Sequence, residues 1–305
     1  MIKFLVRRFL EIIPVLFIVA TLSFFMVRLA PGGPFSKERA IPKAVLANIE
    51  RHYGLDQPLP VQYVRYMGHL LRGDLGPSYK YPTRTVNELI AQAFPVSAEL
   101  GLWGLGVALL FGIPVGLVSA LRVNTPADYI PMSFALFGMC LPSFVLGPML
   151  IFVFAMTLGW VDSSGWYNWT DRILPALTLG IGGAAGLARM TRSGMLEILS
   201  QDYIRTARAK GVPEYLIVLR HALRSGLTPV LSMMGPLLAD VLTGSFVVEL
   251  IFQIPGLGRF FVNAAFNRDY TMVLGSVLFY AVLLLIFNLI FDVILVAINP
   301  RLKYE

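Results

Sequence analysis

Cysteine is almost missing from these 305 residues: Cys140 stands alone inside an apolar run, which excludes an internal disulfide and a cysteine-built metal cluster. Histidine is nearly as scarce. His52, His69 and His221 lie far apart and read as surface or packing residues, not as metal ligands, and no Ser-His-Asp arrangement accompanies them. No segment follows G-x-x-x-x-G-K-[ST], the loop that cradles nucleotide phosphates, so the chain reads as a non-enzyme with no bound cofactor of its own. There is no internal repeat either, which argues against the paired halves of a stand-alone secondary transporter. Charge is thin: Asp, Glu, Lys and Arg make up 14% of the chain, against about 25% in soluble domains.

What fills the chain is hydrocarbon, with 56% hydrophobic residues. A membrane-crossing helix needs about 20 mostly apolar residues, and six runs qualify: 9–30, 96–121, 129–158, 173–190, 228–250 and 272–298. The expected fold is therefore an all-α polytopic membrane protein of about six transmembrane helices. The third run is long enough to break at Pro142 or Pro148, because an interior proline removes a helix hydrogen bond. The first outlasts the apolar core of a signal peptide and offers no small-residue cleavage site, so it reads as a retained anchor.

The net charge of +7 does not point to nucleic acid, because the basic residues flank apolar runs. Their distribution sets an orientation instead. With the N-terminus in the cytoplasm, Lys3, Arg7, Arg8, Arg122, seven basic residues between Arg189 and Arg224, and Arg301 and Lys303 all fall inside. Six spans then return the C-terminus to the cytoplasm. Residues 31–93 form an outer segment in which "KAVLANIERHYG" and "VQYVRYMGHLLRG" read as short amphipathic helices stopped by Gly54 and Gly73. Residues 253–270, rich in Gly, Pro and Phe, form either a re-entrant loop or a plain outer loop.

Ionisable residues inside the runs are costly and stand out. Asp240 lies near mid-span and is the better candidate for a water-lined path; Glu249 and Asp292 lie near span ends and read first as structural. The small-residue run "LGIGGAAGLA" at 179–188 reads as close helix packing.

The only sizeable inner loop is 191–226. It reads as helix, turn, helix: helix formers over 193–210, a stop at Gly211, and a second helix opened by Pro213 and Glu214. Two interfacial helices bound to anionic lipid would explain its charge. They would not explain Ala207, Ala209 and Gly211 at every second position, where small side chains let a partner approach the backbone.

The run "YIRTARAKGVPEYLIVLRHAL" resembles the coupling motif of the permease subunits of ABC importers, in the form used by peptide permeases. Arg205 and Thr206 depart from the general Glu-Ala-Ala pattern, Ala207 and Gly211 match it, and Arg224 replaces a proline after the matching Leu223. With "RRFLEIIPVLFIVATLSFFMVRLAPGGPF", "TGSFVVELIFQIPGLGRFFVNAAFNRDY" and "INPRLKYE", the resemblance to bacterial oligopeptide and dipeptide importers covers nearly the whole chain and is nearer to the first permease subunit of the oligopeptide importers than to their dipeptide, nickel or glutathione relatives.

That resemblance implies a type I ABC importer permease fold in the bacterial inner membrane: an anchor at 1–30, a periplasmic segment at 31–93 and a transport core at 94–305. It implies a second homologous permease subunit, two cytoplasmic ATPase subunits that use ATP and Mg, a periplasmic binding protein, and a peptide substrate. It assigns coupling to Asp202, Tyr203, Arg205, Thr206, Ala207, Arg208, Ala209, Lys210, Gly211 and Val212. Ala207 and Gly211 would be close-approach positions, and Arg205, Arg208 and Lys210 charged contacts.

Overall fold

The computed structural model describes residues 2–29, 43–243 and 246–298, and within them the only extended pairing is the isolated bridge Pro77–Thr85. The helices are α1 (Ile2–Leu29), α2 (Lys43–His52), α3 (Leu59–Leu70), α4 (Val86–Leu121), α5 (Pro126–Cys140), α6 (Ser143–Leu150), α7 (Ile173–Leu199), α8 (Asp202–Ala209), α9 (Glu214–Leu216), α10 (Leu223–Gly226), α11 (Thr228–Leu242), α12 (Phe246–Ile251), α13 (Leu257–Asn267) and α14 (Tyr270–Ile298). Among the described residues five stretches are long and apolar enough to cross a membrane, six if the bent pair α5–α6 is one span. The boundary expected near residue 30 and the terminal Arg301 and Lys303 lie outside the described residues.

The bend in that third span is 106°, and it falls at Pro142. Proline forces its predecessor out of the α region, and Leu141 is extended at φ −82°, ψ 115°. Pro148 does not break the chain; it sits inside α6, just before a π-helical turn at Ile151–Thr157.

The second span differs more from expectation. α4 has 36 residues, so it is about 54 Å long at 1.5 Å per residue, well beyond a hydrocarbon layer of about 30 Å. It starts at a capping box, in which Thr85 Oγ1 accepts from the Glu88 amide and Glu88 Oε2 accepts from the Thr85 amide. Its first turns bury Val86, Leu89, Ile90 and Ala93 against Leu257, Ala264 and Met272 of α13 and α14. That packing sustains helix where the sequence is no longer greasy.

At the centre α4 and α7 touch backbone to backbone. Gly104, Ala108, Gly112 and Gly116 recur at four-residue spacing along α4 and meet Gly180, Ala184 and Ala188 on α7. A Cβ at Gly112 would lie 2.7 Å from the Ala184 carbonyl oxygen, and one at Gly180 would lie 2.6 Å from that of Gly104. Small residues permit this approach, and dispersion between the close backbones holds the pair. The packing reading of 179–188 is therefore correct, and α4 supplies the matching stripe. Leu105, Leu187, Val230 and Met234 extend this core to α11.

Candidate functional site

The loop 191–226 is an elbow, and its first half is not one helix. α7 runs on to Leu199, where Ser200 Oγ bonds back to the Glu197 carbonyl. Gln201 is extended at φ −71°, ψ 149°, and α8 begins afresh at Asp202. α8 ends as the sequence requires. Gly211 takes φ 78°, the left-handed region that favours glycine. The Gly211 amide then donates to the Arg208 carbonyl at 3.0 Å, and the Val212 amide to the Ala207 carbonyl at 3.2 Å. These two bonds are a Schellman closure, which satisfies carbonyls that a helix end leaves open. Pro213 is the N-cap of the returning segment, which passes through α9, a π-helical stretch Ile217–Ala222 and α10.

One apolar core binds the elbow to the ends of two spans. Ile204, Ile217, Val218 and Ala222 are buried with Met195 of α7 and Ala120 of α4. Ala207 and Val212 pack against the same core. The smallness of Ala207 thus serves the elbow's own closure, while Ala209 and Gly211 stay on the open side, and a Cβ at Gly211 would meet nothing within 4 Å. Asp202, Tyr203, Arg205, Thr206, Arg208 and Lys210 are all exposed.

Two ion pairs organise that surface. Arg205 Nη1 lies 3.4 Å from Asp202. Arg208 spans the turn to Glu214 through two bonds, Nη2 to Oε1 at 2.6 Å and Nε to Oε2 at 3.1 Å. Beside that guanidinium the Glu214 carboxyl titrates below its ordinary range, and Arg208 titrates above its own. Arg208 therefore braces the bend, leaving Arg205 and Lys210 as the cations presented outward.

The membrane carboxylates separate into three kinds. Glu249 is fully buried: Ser97 Oγ donates to its Oε1 at 2.7 Å, and the Arg259 amide donates to its Oε2 at 3.1 Å. Ser97 Oγ in turn accepts from the Leu257 amide at 2.7 Å. Carboxylate and hydroxyl thus cap the N-terminus of α13, where the open amides and helix dipole favour negative charge. Gly256 is next to this carboxylate, and a Cβ there would collide with it. Asp292 pairs with Arg8 Nη2 at 3.3 Å and fastens α14 to α1. Both are structural ties. Asp240 is exposed, in register with Ser232 and Pro236 along one face of α11.

Residues 253–270 are largely helical, because α13 fills the stretch once Gln253, at φ 56°, has turned the chain. Asp269, buried after α13, accepts from Ser78 Oγ at 2.5 Å, the Tyr79 amide at 3.1 Å, the Lys80 amide at 3.2 Å, Thr271 Oγ1 at 3.0 Å and the Met272 amide at 3.2 Å. It locks the segment before α4 to the start of α14.

Sequence reasoning passed over one pair near the elbow. Asp128, buried at the start of α5, accepts from Arg192 Nε and Nη2 of α7, each at 2.8 Å, and from the Asn124 amide at 3.1 Å. The signal was Thr125-Pro126-Ala127-Asp128, a helix start with an acid at the third position. It joins α5 to α7 a turn before the elbow core.

Among known families, the chain matches "Binding-protein-dependent transport system inner membrane component" over residues 112–304, and the N-terminal membrane component of such systems over residues 1–100. It is 49% identical over 306 residues to the "Oligopeptide transport system permease protein OppB" of Salmonella typhimurium, with all of both chains covered. It is 41% identical to the "Dipeptide transport system permease protein DppB" of Bacillus subtilis, covering 99% of this chain and 98% of that one. A solved inward-facing structure of the MetNI methionine ABC transporter superposes with a TM-score of 0.58 at 19% identity, over 69% of this chain and 96% of the other. The fold is shared at a sequence distance where little else carries across.

Proposed function

The chain belongs to the binding-protein-dependent transport system inner membrane component family, and from that premise we propose that it is one half of the channel of an ATP-driven peptide importer. Its relatives named for oligopeptide and dipeptide transport, at 49% and 41% identity, support that substrate class. In this reading a second homologous permease completes the channel, a periplasmic binding protein delivers peptide, and two cytoplasmic ATPase subunits consume ATP and Mg. The elbow and both termini face the cytoplasm, and α2 and α3 face the periplasm.

The observation that carries the reading is the two-sided elbow: charged and open outside, apolar inside, and bonded by one core to the ends of α4 and α7. A chain gripping the open face of α8 moves that core as a body. Displacement reaches the tightly packed α4–α7 pair directly and α5 through Asp128–Arg192. ATP drives transport by favouring one arrangement of the ATPase subunits over the other, since a ligand shifts an equilibrium only through unequal affinity for its states.

The open face of Asp240 makes it the residue for a polar path between the two permeases; Asp240→Asn that leaves uptake unchanged for every peptide tested removes it from that role. The coupling role is tested at Gly211. Asn tolerates the left-handed conformation and Arg adds bulk on the open face. Gly211→Asn should retain most uptake, and Gly211→Arg should lose it while the chain stays in the membrane. Unimpaired uptake by Gly211→Arg would refute the assignment.

A further inference from the structure

A cavity of about 250 Å³ opens at the end of α1 far from the elbow, walled by α1, α3 and the start of α14. Aromatic rings form its sides: Phe24 stacks on Tyr66 at 5.3 Å, and Tyr79 stands 6.5 Å from Tyr270. The Arg28 guanidinium lies 5.5 Å over Phe24 and 5.7 Å over Tyr270, and Nη2 reaches the Tyr79 hydroxyl at 3.5 Å. Arg65 also lines the space.

Three buried polar atoms of the lining have no partner within the described residues: Arg28 Nε, Tyr66 Oη and Gln62 Oε1. Buried polar atoms are nearly always bonded, so three around one cavity call for a ligand. Their chemistry is specific. Arg28 Nε–H can only donate. Burial holds the Tyr66 phenol above its ordinary titration range, so its hydroxyl is also available to donate. Gln62 Nε2 is committed to the Leu55 and Gln57 carbonyls at 3.1 and 2.7 Å, which leaves Oε1 as an acceptor.

Among the described residues the lining is positive, with Arg28 and Arg65 against one carboxylate. Among the described residues that carboxylate is Asp74, and it is occupied by the Gly76 amide at 2.9 Å and His69 Nδ1 at 2.8 Å. Neither Arg28 nor Arg65 has a carboxylate within ion-pair distance among the described residues. The ligand must therefore bring an oxyanion for Arg28 and Tyr66 and a hydrogen-bond donor for Gln62.

The position supplies the rest. α1 exposes Leu22, Met26 and Leu29 on the flank turned away from Phe24 and Arg28, and Val61 and Val64 of α3 and Leu71 just after it are exposed as well. An apolar helix end meeting a short helix with exposed aliphatics, tyrosines and arginines is the composition of a membrane–water interface. We propose that this cavity binds the phosphate of an anionic phospholipid whose headgroup carries a hydroxyl, with Arg28 and Tyr66 on the phosphate, Gln62 on the hydroxyl and the acyl chains along α1. The site concerns the chain's seating in its bilayer and stands apart from the coupling reading.

A peptide carboxylate offers the same oxyanion, so the test separates the sources. The assembled complex is purified in mild detergent and exchanged against equal phosphatidylglycerol and phosphatidylcholine, and retained lipid is counted by native mass spectrometry. Phosphatidylglycerol should be preferred about tenfold, with most of that preference gone in Arg28→Gln and a several-fold part gone in Tyr66→Phe, a change small enough to spare the fold. Equal retention of the two lipids, or a preference unaltered in both variants, overturns the proposal. Displacement of phosphatidylglycerol by a soluble oligopeptide assigns the oxyanion to a peptide and overturns the lipid assignment. Transport is not the readout, so uncoupled variants leave this test intact.

Discussion

The two ends of the helical bundle are fastened differently: the elbow closes on hydrocarbon alone, with buried Asp128 paired to Arg192 a turn away, and the other end combines hydrocarbon with buried carboxylates. At the elbow, hydrocarbon does the holding: Ile204, Ile217, Val218 and Ala222 close on Met195 and Ala120, and the charges lie outside. At the other end, carboxylates add to the packing of α4 on α13 and α14: Asp269 gathers five donors around the start of α14, and Glu249 with Ser97 caps α13. Apolar contact is non-directional and tolerates small shifts, whereas a buried carboxylate holds its donors at fixed angles and is costly to leave half-satisfied. The elbow can thus ride as a unit on moving spans. The far end is built as a latch with defined closed geometry.

The sharpest way to break this contrast is Asp269→Ala, which strips an acceptor from five donors at once. Stability of the purified complex should fall by about 3 kcal/mol or more, read as a drop in melting temperature. Amide exchange should rise around residues 76–81 and 269–273 and stay unchanged at 202–222. Faster exchange in the elbow as well would mean that the two ends are not independently fastened.

Ile204→Ala attacks the other side. Truncating a fully buried aliphatic residue costs about 2–4 kcal/mol, here local to the elbow. ATP hydrolysis by the assembled complex should continue while uptake per ATP falls several-fold, and the latch should keep its exchange protection. Uptake per ATP at the wild-type level would show that the elbow core transmits nothing.

The smallest effect belongs to the Arg208–Glu214 brace, which is surface exposed and worth about 0.5 kcal/mol. Because Glu214 is titrated below its ordinary value of 4.5, its contribution is present at neutral pH and disappears only as pH falls through that lowered value. Glu214→Gln should therefore lower elbow protection slightly at pH 7 and change nothing once wild-type Glu214 is itself protonated. A difference that grew on acidification would contradict the brace.

Much of this was legible in the sequence because it is local. Apolar run length located the spans, Gly54, Gly73 and Gly211 stopped their helices with positive φ, and Pro142 broke the third span. Three features were not. The first ten residues of α4 are amphipathic, with Asn87, Glu88 and Gln92 outward, so a search for grease could not extend the span there. The interruption at Ser200–Gln201 rests on a side chain bonding back to its own helix, a choice that helix-former density does not register. Glu249 and Asp292 could be flagged as costly but not explained, since Ser97 and Arg8 lie far away along the chain. Of the residues proposed for coupling, sequence spacing gave the closure at Gly211, and only packing revealed that Ala207 faces inward while Ala209 faces out.

If a separate ATPase subunit holds the open face of α8, as proposed, a side chain on that face lies within cross-linking reach of it. The most direct measurement uses Ala209→Cys in a Cys140→Ser background, with a short bifunctional cross-linker applied to the complex in native membranes. A covalent adduct with an ATPase subunit is expected, lost when that subunit is omitted and altered in yield by ATP. A well-exposed thiol at Ala209 that labels freely and yields no adduct in the transporting complex would contradict it.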